Sequence, residues 1–192
     1  IDSREIEKER GVIIEELNMY LDTPVRHIRD LFEGLLYGDQ PAGWEIVGTK
    51  ENLKKIQRKD LIDYIQNHYS ASNTIVCVSG NFSQEKMFAD IKRKFRIINK
   101  QKPEEKVKVA EEQKEPKIHL KFKETDQTHF CLGVRAFDLF SPRIYVQEVL
   151  ATILGGNMSS RLFIKVREKN GLAYYIKTEA ESFTDSGYLV TQ

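Results

Sequence analysis

The segment from Asn99 to Pro116, NKQKPEEKVKVAEEQKEP, constrains the fold more than any other part of this chain. It is mostly charged, carries a proline near either end and has no apolar face. Such a stretch buries too little apolar surface to offset the entropy of ordering it, so it reads as an exposed linker. Apolar patterning stops before it and restarts beyond it. The chain is therefore expected to hold two pieces, residues 1–98 and residues 117–192, joined by linker 99–116.

Each piece mixes helices with strands. Helices are predicted over Ser3–Leu21, stopped at Asp22-Thr23-Pro24, and over Pro24–Tyr37, followed by a loop containing Gly38, Pro41 and Gly43. Thr49 is placed to cap a short turn through Leu53, and Arg58–Tyr69 reads as a helix with Leu61, Ile62, Ile65 and Tyr69 on one side. Asn73–Ser79 (NTIVCVS) suits an interior strand, and Ser83 opens a helix to Phe95. Past the linker, Lys117–Lys123 alternates apolar with polar residues and Thr128–Ala136 follows as a second strand. Ser141-Pro142 starts a helix to Leu154, with proline at its favoured first position. A further helix covers Ser159–Lys169, capped by Ser159 or Ser160. Strands are expected over Leu172–Glu181 and Gly187–Val190, joined by a Thr-Asp-Ser-Gly turn. The fold class is α+β.

Composition excludes some functions. Thirty Lys and Arg against 29 Asp and Glu leave a formal charge of +1, which argues against nucleic acid as a partner held on a dominant basic surface. Apolar runs extend only a few residues, so no membrane span is expected. Cys77 and Cys131 lie in strand-like runs outside any Cys-x-x-Cys pair and read as buried free thiols of a reducing compartment.

The first helix carries an anomaly. On a wheel at about 100° per residue, Ile6, Ile13, Leu17 and Tyr20 form an apolar face that Val12 and Met19 extend. Glu9 and Glu16, seven apart, fall within that arc, as does Glu5. Burying an unpaired carboxylate costs several kcal/mol, so each needs a partner. One possibility is an Arg, Lys or backbone donor, with Arg10 and Arg26 nearby in sequence. The other is a divalent cation, for which Glu is a competent ligand.

Two motifs carry a resemblance. The first is Glu9-Arg10-Gly11-Val12-Ile13-Ile14-Glu15-Glu16 with Met19 to Pro24, and later Leu36-Tyr37-Gly38-Asp39-Gln40-Pro41 and Ile46-Val47-Gly48. The second is Gly155-Gly156-Asn157-Met158-Ser159-Ser160-Arg161-Leu162-Phe163 followed by Val166 to Tyr175. Together they resemble the pitrilysin/insulinase zinc peptidases, the group that includes mitochondrial processing peptidase. The resemblance implies two domains, each a largely antiparallel sheet packed with helices, around a peptide-sized cavity. It implies that Glu16 is a ligand of Zn2+ and that Glu9, one heptad earlier, supports the site. It also implies that Arg167 and Tyr174 reach substrate and stabilise the developing oxyanion, a task suited to an Arg fork and a phenol donor. Asn157 departs from the run of three glycines common in the family.

Without that family, Arg167 reads as a salt-bridge partner of Glu168 or Asp185, and Tyr174 as a core aromatic with a satisfied hydroxyl. Gly155-Gly156 reads as a sharp turn that side chains would obstruct. The family's His-x-x-Glu-His motif is missing from this chain, whose histidines are His27, His68, His119 and His129. His27 and His68 are expected on the surface, and His119 and His129 on a polar sheet face. One Glu cannot hold a catalytic zinc, so the chain reads as an inactive fragment of a metalloendopeptidase that cleaves peptides. Two alternatives stand beside this: a non-catalytic substrate-binding or structural subunit of the same family, and an unrelated binding module. A homo- or hetero-dimer is an open possibility, and open sheet edges in the fragment predict self-association.

Overall fold

The computed structural model describes residues 1–192, the side chain of Ile97 excepted. The chain is α+β, with helices and a small antiparallel sheet, and it groups into two compact units. The first comprises Ile1–Ile14 and Lys50–Lys106; the second comprises Glu15–Thr49 and Val107–Gln192.

In the first unit, the start of α1 (Ser3–Leu21) accompanies α3 (Lys50–Lys55), α4 (Arg58–His68) and α5 (Gln84–Lys94). Arg10 joins them. Its guanidinium donates to the carbonyls of Leu53 and Ile56, the latter at 2.8 Å, and pairs with Glu7 at 3.0 Å. Gln57 and Asp60 form a reciprocal capping box that starts α4 by satisfying its first orphan N–H groups. Buried Ser70 forms a bridge with Asn99, which donates from its carboxamide to the Gln66 carbonyl at 2.5 Å.

The expected strand at Asn73–Ser79 is not one. Ala71–Asn73 makes a tight helical turn, and residues 74–79 beyond it join no strand, Ile75 being 90% exposed. An apolar run states what would be buried, but a strand also needs a neighbour to accept its N–H groups. Cys77 is correspondingly exposed rather than buried, and both cysteines are free thiols.

The second unit holds α2 (Pro24–Tyr37), α6 (Ile144–Gly155) and the strands β1 (Leu132–Arg135), β2 (Thr178–Ser182) and β3 (Gly187–Thr191). The sheet order is β1-β3-β2, antiparallel throughout, with Leu189 opposite Val134 on one side and Ala180 on the other. Phe32, Leu36 and Tyr37 of α2 pack on Tyr188 and Val190 of β3. Phe32 meets the Tyr188 ring edge-to-face, centroids 5.3 Å apart. The Tyr188 hydroxyl donates to Glu33 at 2.5 Å, while Arg29 lies over its ring and pairs with Glu179 at 3.1 Å. On α6, buried Gln147 accepts from the Phe137 N–H and donates to Ser182. A Cβ at Gly155 would sit 2.4 Å from Thr178 Oγ1, so only glycine lets α6 approach β2 this closely.

Several expectations change here. The alternating stretch Lys117–Lys123 joins no sheet, and Ile118, Leu120 and Phe122 are 94%, 92% and 90% exposed. His119 and His129 accordingly lie on no sheet face. The far part of the charged segment is tied down: the Val109 N–H donates to Asp185, Gln40 exchanges two hydrogen bonds with the Ala110 backbone, and Glu111 pairs with Arg135. His27, expected on the surface, is buried. Burial pushes its pKa down, and Lys121 pushes the same way.

Candidate active-site residues

The Arg167 side chain is held by the segment that presents it. Gly155-Gly156 ends α6, and a Cβ at Gly156 would come within 2.6 Å of the Thr152 Cα. The turn that follows is fastened by Asn157, whose side-chain oxygen accepts from the Ser159 N–H at 2.9 Å. Asn157, not Ser159 or Ser160, therefore supplies the side-chain bond at this turn. The Ser160 hydroxyl is buried without a hydrogen-bond partner among the described residues.

The expected helix at Ser159–Lys169 is present as a shorter element wound as a π-helix over Phe163–Glu168. The Lys169 N–H reaches back to the Ile164 carbonyl at 2.9 Å. π-Turns are uncommon and recur at functional sites. Gly171 then adopts a left-handed conformation, φ 60°, and the Gly171 and Leu172 N–H groups donate to the Arg167 and Val166 carbonyls. A side chain with a Cβ is strained at this φ, so glycine permits the reversal that returns Tyr174 toward Arg167.

Arg167 and Tyr174 meet. The guanidinium carbon lies 4.6 Å from the centre of the Tyr174 ring and 4.8 Å from that of Phe163. Its one ion-pair partner among the described residues is Glu168, at 4.0 Å and thus at the limit of an ion pair. Asp185 is engaged with Val109 instead. Tyr174 is 85% exposed, so it is not a core aromatic. The result is a guanidinium packed against two rings, with no side-chain hydrogen bond to the protein among the described residues, one of those rings being a solvent-facing phenol. Such a fork can donate two parallel hydrogen bonds to a carbonyl or carboxylate. Phe163 was legible in the sequence only as part of an apolar helix face. Its position four residues before Arg167 was the available signal.

Glu9 and Glu16 sit on α1, and both are exposed. The arc that holds them buries Leu17 but leaves Val12, Met19 and Tyr20 partly exposed, and with both carboxylates in water the expected cost of burying them does not arise here. Neither has a hydrogen-bond or ion-pair partner among the described residues. Arg10 turns to Glu7, and Arg26 lies over the Tyr20 ring at 5.7 Å, so neither arginine serves Glu9 or Glu16. Among the described residues no three His, Cys, Asp or Glu side chains converge to hold a metal ion. The donor chemistry of Glu16 fits one oxygen ligand of a zinc site and no more.

Residues 55–192 match the family model described as the peptidase M16 inactive domain. The chain belongs to the peptidase M16 family. This is the pitrilysin/insulinase group of zinc peptidases that the two sequence motifs resemble. A relative in Bacillus subtilis, the uncharacterised zinc protease YmxG, is 37% identical over 98% of this chain and 45% of its own length. The chain thus spans about half the length of the curated relatives it matches. The crystal structure of a peptidase M16 inactive domain from Pseudomonas fluorescens superposes with a TM-score of 0.83 at 21% identity, over 99% of this chain and 46% of that one. A chain of complex III from Candida albicans aligns with a TM-score of 0.72 at 19% identity, over 96% of this chain and 46% of that one. At these identities the structures speak to M16 fold alone.

Proposed function

We propose that this chain is part of a zinc-dependent metalloendopeptidase that cleaves unfolded peptides in a cavity between two domains, residues 1–98 and 117–192 each contributing part of one. Glu16 supplies one oxygen ligand to the zinc, and Glu9 supports that site from one heptad away. The remaining ligands come from outside these residues, since no three His, Cys, Asp or Glu side chains converge among the described residues. Zinc, when bound, polarises the scissile carbonyl and its attacking water.

The observation that carries the reading is the paired geometry of Arg167 and Tyr174. The Arg167 fork, packed against the Phe163 and Tyr174 rings, donates to the peptide carbonyl next to the scissile bond. The Tyr174 phenol, exposed beside it, donates to the oxygen that gains negative charge as the carbonyl becomes tetrahedral. Donors fixed in advance lose little to reorganisation when that charge appears. In the complete protein, Arg167→Ala and Tyr174→Phe are each expected to lower peptide turnover by about 10²-fold. Full turnover in both variants sinks the assignment.

A second reading has its own support. The matching family model is described as an inactive domain, and one structural neighbour is a chain of complex III from Candida albicans. On that reading the chain belongs to a non-catalytic subunit that binds peptides or a partner chain, as a homo- or hetero-dimer. Peptide binding by the complete protein without zinc-dependent hydrolysis would select it.

A further inference from the structure

We infer that Phe163 is the positioning residue for Arg167: its buried ring holds one face of the guanidinium so that the N–H edges point to substrate. The inference rests on the peptidase reading above. Three observations support it. The Arg167 guanidinium carbon stands 4.8 Å from the Phe163 ring centre and 4.6 Å from the Tyr174 ring centre, so the cation packs against both rings. The two rings differ in burial: Phe163 is buried whereas Tyr174 is largely exposed. Finally, Arg167 has no strong ion pair to orient it, Glu168 approaching only to 4.0 Å.

An arginine side chain has many rotamers, and one whose edges are unpaired needs its faces constrained to be pre-organised. An exposed phenol that itself contacts substrate is a poor anchor, which leaves the buried ring to set the plane. The π-wound backbone of Phe163–Glu168 holds ring and cation four residues apart, and Gly171 returns Tyr174 to the same guanidinium. Phe163 thus acts through Arg167 without touching substrate.

The test uses the complete zinc-loaded protein, together with a fluorescein-labelled peptide titrated into the same protein stripped of metal. Phe163→Leu and Phe163→Met each remove the ring face and retain most of the apolar volume. Both are expected to weaken peptide binding and kcat/KM by roughly three- to tenfold at unchanged zinc content, while Phe163→Tyr, which keeps the ring, restores both. In an Arg167→Ala background the same changes are expected to add nothing further, because the group they position is gone. Equal losses in both backgrounds overturn the inference, since a merely structural role acts regardless of Arg167. Wild-type kinetics and binding in whichever of the Leu and Met variants folds overturn it too. Should Arg167→Ala alone leave turnover and binding intact, the peptidase assignment of Arg167 falls and takes this inference with it, a pattern distinct from failure at Phe163 alone.

Discussion

Tyr188→Phe isolates the contact that fastens α2 to the sheet. The ring of Tyr188 is 1% exposed, and its hydroxyl donates to the Glu33 carboxylate at 2.5 Å. The substitution keeps the ring against Phe32 and removes only the oxygen. A hydrogen bond to a charged group contributes about 1.5–3 kcal/mol, and Glu33 is half-buried, so water partly replaces the lost donor and the lower end applies. The expected loss is about 1.5 kcal/mol, read as a lower urea midpoint at unchanged slope; with a slope of about 2 kcal/mol/M, that is a shift of roughly 0.75 M.

The same contact has a pH signature. Burial raises the Tyr188 pKa above its ordinary value of 10.0, and the bond to Glu33 raises it further. The unfolded chain therefore releases this proton first as pH climbs past 10, so the stabilisation is complete below that value and is lost above it. Tyr188→Phe should remove that share of the alkaline loss. An unchanged midpoint at neutral pH, with the alkaline loss retained, would refute the reasoning.

Other consequences are independent of this one. His27 is buried with its pKa lowered by desolvation and by Lys121, while Asp30 and Glu45 act in the opposite sense and Lys123 with Lys121. The unfolded chain binds the proton more readily, so stability should fall as pH drops from 6.5 through the lower folded value; His27→Gln should flatten that part of the urea-midpoint profile. Gly155→Val should destabilise by about 1–3 kcal/mol in thermal or urea unfolding, because the new side chain meets Thr178 side-chain and backbone atoms. The unpaired stretch bearing Ile118, Leu120 and Phe122 should make the isolated chain self-associate. Sedimentation velocity showing a clean monomer at high concentration would contradict that.

The helices were legible where the chain punctuates itself. α2 runs from Pro24 to Tyr37 as expected, because proline suits its first turn and Gly38, with φ 71°, leaves the helical conformation. β3 was legible for a similar reason, the polar Thr184 to Ser186 stretch marking the reversal before Gly187. Sheet membership was not. Asn73–Ser79 and Lys117–Lys123 have strand-like patterns, yet a pattern in one segment cannot report whether a neighbour is in reach. Burial of His27 was equally hidden, since Arg26, Arg29 and Asp30 surround it in sequence and nothing local marks that side of α2 as covered. At the candidate site, the seven-residue spacing of Arg167 and Tyr174 was readable. The π-winding and the ring of Phe163 against the guanidinium were not, because they depend on backbone hydrogen bonds that a side-chain pattern does not encode. The apolar arc around Glu9 and Glu16 points to burial, whereas both carboxylates are exposed and only Leu17 of that arc is fully buried.

The central claim is that Glu16 is a zinc ligand of a peptidase. The most direct measurement is the zinc content of the complete protein purified with Glu16 and with Glu16→Gln, by elemental analysis after dialysis. The account predicts about one zinc per wild-type chain, as expected of a single catalytic site, and most of it lost in the Gln variant. Equal zinc in both proteins would remove Glu16 from the site, and none in either would favour the non-catalytic subunit.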